Sequence, residues 1–147
     1  MLLTLTHLPS PKLQECELTF LDSEPICLEK AQSQHQAYRA MLERCGANVI
    51  VLDESLECPD SVFVEDPIIV FDEVAVLTSM GVESRRAESE VMARAISKYR
   101  TLEKITLPAK IEGGDVLKIG KKIFVGESPR TNIEGIKALE AIIKPFG

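Results

Sequence analysis

The sequence predicts an α/β fold built from repeated strand–strand–helix–strand modules. Three observations lead there. Short β-branched runs alternate with segments of helical apolar spacing, the pattern of strands crossed by helices. The order acids, strand pair, arginine occurs twice. Asp60, Glu65 and Asp66 precede PIIVFDEVAVLT, with Arg85 and Arg86 after it; Glu112 and Asp115 precede VLKIGKKIFV, with Arg130 after it. The copies stand about 45 to 50 residues apart, counted from Asp66 to Asp115, a period that marks modules able to bury their faces only by stacking.

Taken in order, residues 1–8 read as a strand closed by Pro9 and Pro11, neither of which has an N–H to give a ladder. The segment 12–27 is mixed, with a short strand expected at Glu17–Leu21 inside an irregular loop. From Glu29 to Cys45, Ala31, His35, Tyr38, Leu42 and Cys45 recur at spacings of four and three, which predicts a helix with one buried stripe. Gly46 stands where a helix ends. Asn48–Leu52 is short and β-branched, hence a buried strand.

The second module places strands at Val62–Val64, Ile68–Phe71 and Val74–Thr78, then a helix over Arg86–Tyr99 with Ser84 as its N-cap. A strand at Glu103–Leu107 follows. The third repeats this with Val116–Ile119, Ile123–Val125 and a helix over Asn132–Ile143, after which a further strand is due. The whole is read as one domain of 147 residues.

Composition narrows the function. Hydrophobic residues at 45% and charged residues at 27% describe an ordinary globular chain. A net charge of −6 argues against nucleic acid, whose phosphates need a concentrated basic face. No apolar run approaches a membrane span, and MLLTLTHLP has no basic flank, so the expected location is cytoplasmic. Cys16, Cys27, Cys45 and Cys58 form no CxxC pair, and with only His7 and His35 available no zinc-ligand spacing emerges.

Two readings stand open for the charged residues. Acids before a strand pair and arginines after it suit a pocket that grips a zwitterion, because a guanidinium is the best planar partner of a carboxylate. Alternatively, Asp60 and Asp66 are turn residues, Glu112-Gly113-Gly114-Asp115 is a glycine turn, and Arg85 or Arg86 pairs with Glu83, Glu88 or Glu90 on a solvated face. The EGGD stretch is no phosphate loop: it lacks a Walker lysine, and its acids would repel phosphate.

PDSVFVEDPIIV, GVESRRAESE, IEGGDVLKIG and FVGESPRTNIEG, with the helix QSQHQAYRAML, resemble the dimethylarginine dimethylaminohydrolases of the amidinotransferase superfamily. The resemblance implies a pentein-type propeller of five ββαβ modules, of which about three are present. It implies hydrolysis of methylated arginine to citrulline and an amine, without metal or organic cofactor. Asp60 and Asp66, with Glu65 beside them, would fall on the guanidinium-binding acids. Arg85 and Arg130 would fall on the arginines that hold the substrate α-carboxylate, Leu18 on a loop leucine over the ligand, and Glu112 on the acid supporting the catalytic histidine.

The family's nucleophilic cysteine and histidine come from later modules, and none of the four cysteines nor His7 or His35 corresponds to them. The expectation is therefore a recognition portion with no turnover of its own. The rival readings are an arginine deiminase-like fragment and a non-catalytic partial propeller that self-associates through open module edges.

Overall fold

The computed structural model of the chain describes residues 2–19 and 22–147. They fall into two units, Met1–Val64 and Glu65–Gly147.

In the first unit, β1 (Leu2–His7) and β2 (Ala47–Leu52) pair in parallel, from Leu2 opposite Ala47 to His7 opposite Leu52. Parallel neighbours need a crossover, supplied by helix α1 (Leu28–Arg44). Gly46 ends that helix at φ +87°, a left-handed conformation that costs glycine nothing. The expected stripe on α1 is only half-buried. It runs through Ala31, His35, Arg39 and Leu42, while Tyr38 is 54% exposed.

No strand forms at Glu17–Thr19; the rest of that expected strand lies outside the described residues. The loop is instead pinned by Gln14, whose amide donates to the Ser23 hydroxyl and the Glu24 carbonyl and accepts from the Ile26 N–H. The expected strand at Val62–Val64 is likewise a turn, closed by Ser61 N–H to the Cys58 carbonyl and Phe63 N–H to the Asp60 carbonyl.

His7 Nε2, His35 Nδ1 and Arg39 Nε are buried without a hydrogen-bond partner among the described residues. Burial, then the charges of Arg39 and His7, hold His35 below the usual histidine value of 6.5. The folded state thus binds this proton less tightly than the unfolded chain does. Stability is unaffected above 6.5 and falls as pH drops below it. His35→Gln is expected to flatten that acid-side loss, read from urea midpoints at about pH 8 and about pH 5.

In the second unit, β3 (Ile68–Val70) and β4 (Val74–Leu77) are antiparallel, and β5 (Thr101–Lys104) joins β4 in parallel after helix α2 (Glu88–Ile96). This is the expected module order in full. Strands β6 (Val116–Ile119) and β7 (Lys122–Val125), then helix α3 (Ile133–Ile143), repeat its first three elements. β4 is buried along its whole length, as a central strand with an unbroken apolar run should be. Around it Ile69, Phe71, Val74, Val76, Ile105, Ile111 and Leu139 form the core.

Several boundaries differ from expectation, most at α2 and β5, which end at Ile96 and Lys104 where Tyr99 and Leu107 were expected. Ser84 is not the N-cap of α2: residues Glu83–Arg85 make a 3-10 turn, and α2 begins at Glu88 after Ala87 without a side-chain cap. β5 starts two residues early, because the parallel register sets Thr101 opposite Val74. At α3 the expectation holds. Asn132 accepts the Gly135 N–H at 2.9 Å and the Lys110 N–H at 2.8 Å, and its amide donates to the Pro108 carbonyl at 2.9 Å. Asn132→Ala is expected to cost about 1 kcal/mol from the lost cap, measured by urea denaturation.

Candidate active site

Within the second unit the structure joins both acid–arginine copies through the EGGD stretch. Asp66 reaches it twice. Its carbonyl accepts the Gly113 N–H at 2.9 Å, and its carboxylate Oδ1 accepts the Gly114 N–H at 3.1 Å. Glycine is required here: a Cβ on Gly113 would collide with the Glu65 carbonyl, and one on Gly114 would lie 2.6 Å from the Asp66 carboxylate.

The other oxygen of Asp66 accepts from Arg85 Nη1 at 2.7 Å. Glu88 grips the same guanidinium with both oxygens, accepting from Nε at 3.2 Å and Nη2 at 2.9 Å. The spacing of three residues, from the end of the 3-10 turn at Arg85 to the start of α2 at Glu88, brings the two side chains together. Only 3% of the Arg85 side chain is exposed. Burial opposes its charge, but the hydrogen bonds it donates to Glu88 and Asp66 and their negative charges outweigh this and raise its pKa above the ordinary arginine value. The idea of a solvated Arg85–Glu88 pair is corrected: the pair is buried. It is Arg86, 4.0 Å from exposed Glu83, that stands on the solvated face.

At the other end of the stretch, Glu112 is buried and accepts the Gly81 N–H at 3.1 Å and Arg130 Nη1 at 3.2 Å. The Arg130 side chain is 21% exposed and so the more accessible of the two arginines. Gly81 lies so close that a Cβ would sit 2.6 Å from Arg130 Cα. Glu65 shows its side chain to solvent, and its carbonyl lines the Gly113 approach.

In the first unit Asp60 is buried, and its carboxylate accepts the Glu17 N–H at 3.1 and 3.3 Å. Leu18, the next residue, is exposed. The structure therefore brings the Leu18 segment to Asp60, a contact that no spacing in the sequence announces. Cys58 is buried, Cys16 half-buried, and Cys27 and Cys45 are exposed at the ends of α1.

Sequence reasoning missed the buried role of Glu88 and the support around Arg130, where the Ser128 hydroxyl accepts the Arg130 N–H and the Thr131 hydroxyl accepts the Glu112 N–H. The three-residue spacing of Arg85 and Glu88 was a usable signal for their pairing, not for its burial. A cavity of about 450 Å³ among Phe71, Lys118, Ile123, Glu140, Ile143 and Phe146 includes none of the acids or arginines above. The described residues hold no group of three or more His, Cys, Asp or Glu arranged to bind a metal ion.

A family model described as N,N dimethylarginine dimethylhydrolase, eukaryotic, matches residues 15–144. The chain belongs to the dimethylarginine dimethylaminohydrolase family. It is 40% identical over 144 residues to the Streptomyces coelicolor N(G),N(G)-dimethylarginine dimethylaminohydrolase, covering 97% of this chain and 56% of that protein. With the Pseudomonas aeruginosa enzyme of the same name it is 38% identical over 120 residues, 80% of this chain and 47% of that one.

A solved structure of the Pseudomonas aeruginosa dimethylarginine dimethylaminohydrolase, a cysteine-to-serine mutant complexed with citrulline, superposes with a TM-score of 0.93 at 33% identity. The superposition covers 98% of this chain and 57% of that one. The N-terminal domain of a cyanobacterial arginine dihydrolase, at TM-score 0.82 and 18% identity, shares the fold. These neighbours are pentein-fold enzymes, and the α/β content fits theirs. The chain spans about half the length of the curated relatives it matches.

Proposed function

We propose that this chain is the substrate-recognition part of a guanidino-group hydrolase that converts methylated arginine to citrulline and an amine. The observation that carries the reading is the unbroken bonded series Glu88–Arg85–Asp66–Gly114, continuing through the EGGD stretch to Glu112–Arg130. It places acids and guanidinium groups alternately on one support, which suits a ligand bearing a guanidinium at one end and a carboxylate at the other.

In this reading Asp66, with Asp60 and Glu65, holds the guanidinium, and Arg130 and Arg85 hold the α-carboxylate. Leu18 lies over the ligand. Glu112 orients the catalytic histidine. The roles of Asp60 and Leu18 come from the family resemblance alone. Gripping both ends fixes the guanidinium carbon for attack, which is where positioning lowers the barrier most. The attack itself is that of a cysteine thiolate, with loss of the amine and hydrolysis of the covalent intermediate. Neither the four cysteines nor His7 or His35 is assigned to it, so the chain is read as about three of five modules, acting without metal or organic cofactor in the cytoplasm.

The test is citrulline release from dimethyl-L-arginine. The 147-residue chain is expected to release none, and a fusion to the C-terminal half of the Streptomyces coelicolor relative is expected to turn over. Turnover by the chain alone, or a folded fusion without activity, would sink the proposal.

A second reading, a self-associating non-catalytic form, is favoured by one surface. Leu117, Ile119 and Phe124 are all exposed, and Leu117 stands directly opposite Phe124 in the β6–β7 hairpin. An apolar strand face of this kind invites a partner. Sedimentation at micromolar concentration that shows only monomer would dismiss it.

A further inference from the structure

We propose that Asp115 is a positioning residue that sets how Arg130, held beside Glu112, faces the carboxylate end of an arginine-type ligand. The proposal rests on the reading above but concerns a residue to which that reading gives no role. One oxygen of Asp115 accepts two hydroxyls, from Ser128 at 2.7 Å and from Thr131 at 2.6 Å. A hydroxyl has one proton, so once it is committed to Asp115 the oxygen lone pairs are left to accept main-chain donors.

They do so on both sides of the site. Ser128 Oγ accepts the N–H groups of Arg130 at 3.0 Å and Thr131 at 3.1 Å. Thr131 Oγ1 accepts the Glu112 N–H at 3.1 Å. The main chain closes the same circuit, with Asp115 N–H donating to the Glu112 carbonyl at 3.1 Å and Thr131 N–H to the Ser128 carbonyl at 3.2 Å.

The backbone of Glu112 and of Arg130 thus refers to a single carboxylate oxygen. Thr131 is fully buried, so water cannot replace what it gives up. Bonds to an ionised acceptor are also the strong, short kind. Without them the 128–131 loop loses the reference that aims the Arg130 fork, and an error of about an ångström in such a group can cost about 100-fold.

The experiment is calorimetric binding of two probes, dimethyl-L-arginine and its decarboxylated analogue, to the full chain and to Asp115→Ala, Asp115→Asn and Arg130→Ala. The full chain is expected to prefer the carboxylate-bearing probe by about tenfold or more, a preference that Arg130→Ala removes. Asp115→Ala is expected to lose most of that preference. Asp115→Asn keeps an oxygen for both hydroxyls and should retain it.

Equal weakening of both probes by Asp115→Ala would mark a purely structural role and overturn the inference. An unchanged preference would overturn it too. If the full chain binds neither probe, or shows no preference, the carboxylate reading fails and the inference falls with it. A preference abolished by Arg130→Ala but untouched by Asp115→Ala sinks the inference alone. Should Asp115→Ala not fold, Ser128→Ala and Thr131→Val each remove one bond to the carboxylate. A full preference in both, with intact thermal melts, is then the overturning result.

Discussion

Replacing Arg85 with methionine is expected to cost the fold about 3 to 5 kcal/mol, the usual penalty for leaving buried partners of an ion pair without their counter-charge. Glu88 would remain, 4% exposed at the first position of α2, and Asp66 would lose its closest donor. Against a total stability of about 5 to 15 kcal/mol, that removes between about a fifth and all of the margin. Urea denaturation reads it directly. The companion variant Arg85→Met with Glu88→Leu removes the stranded charge and should regain at least about half the loss. A penalty for Arg85→Met below about 1 kcal/mol would mean that the cluster behaves like a surface pair.

Lysine at 85 should fall between, since its single ammonium cannot span both Glu88 oxygens and Asp66 as a planar fork does. The pH sign is simple. Because its folded pKa is raised above the ordinary arginine value, Arg85 contributes fully at every pH below that value, and its contribution is lost only as pH rises beyond it. The arginine side of the cluster is therefore constant through the neutral range.

Gly135→Ala is expected to reverse the usual sign of a glycine-to-alanine change in a helix. In an open helix interior the exchange gains up to about 1 kcal/mol. Here Gly135 occupies the first turn of α3, and an added Cβ would run into the Lys110 carbonyl, a backbone group with no rotamer to escape through. Overpacking of this kind costs about 1 to 3 kcal/mol, and the rigidity of the neighbour points to the upper end. Gly113→Ala should behave alike, since its Cβ would meet the Glu65 carbonyl. Thermal melts of the two variants check this, and a gain in stability at Gly135 would show that the Lys110 segment yields freely.

Much of the fold was legible in the sequence because local chemistry and tertiary demand agree there. Val74–Thr78 reads as a strand and β4 forms there, and the helix expected over Asn132–Ile143 forms as α3. The misses have a common cause. Ser84 has the right chemistry for a cap, but the buried fork between Arg85 and Glu88 claims its turn for a 3-10 geometry. Val62–Val64 has strand composition but takes no place in a sheet, and Asp60 folds it into a turn. Tyr38 fits the helical period yet faces solvent, because the half-buried stripe of α1 passes through Arg39 instead.

The charged site was legible in its members and not in its wiring. Asp66, Arg85, Glu112 and Arg130 stand out by type and spacing. That Glu88 is buried and Ser128 and Thr131 brace the arginine loop depends on contacts the one-dimensional pattern does not encode.

Asp66 faces two ways: one oxygen holds the Gly114 amide, 48 residues further along, and the other holds Arg85. A side chain so placed is both a clasp and a candidate contact, which constrains the routes open to evolution. Substitutions that retune ligand preference at Asp66 also loosen the clasp, so lineages that keep the fold must explore new substrates elsewhere. In the exposed loop around Leu18 the tether to Asp60 runs through the Glu17 main-chain N–H, which any residue but proline supplies. Diversification should therefore concentrate in that loop while Asp66 stays fixed.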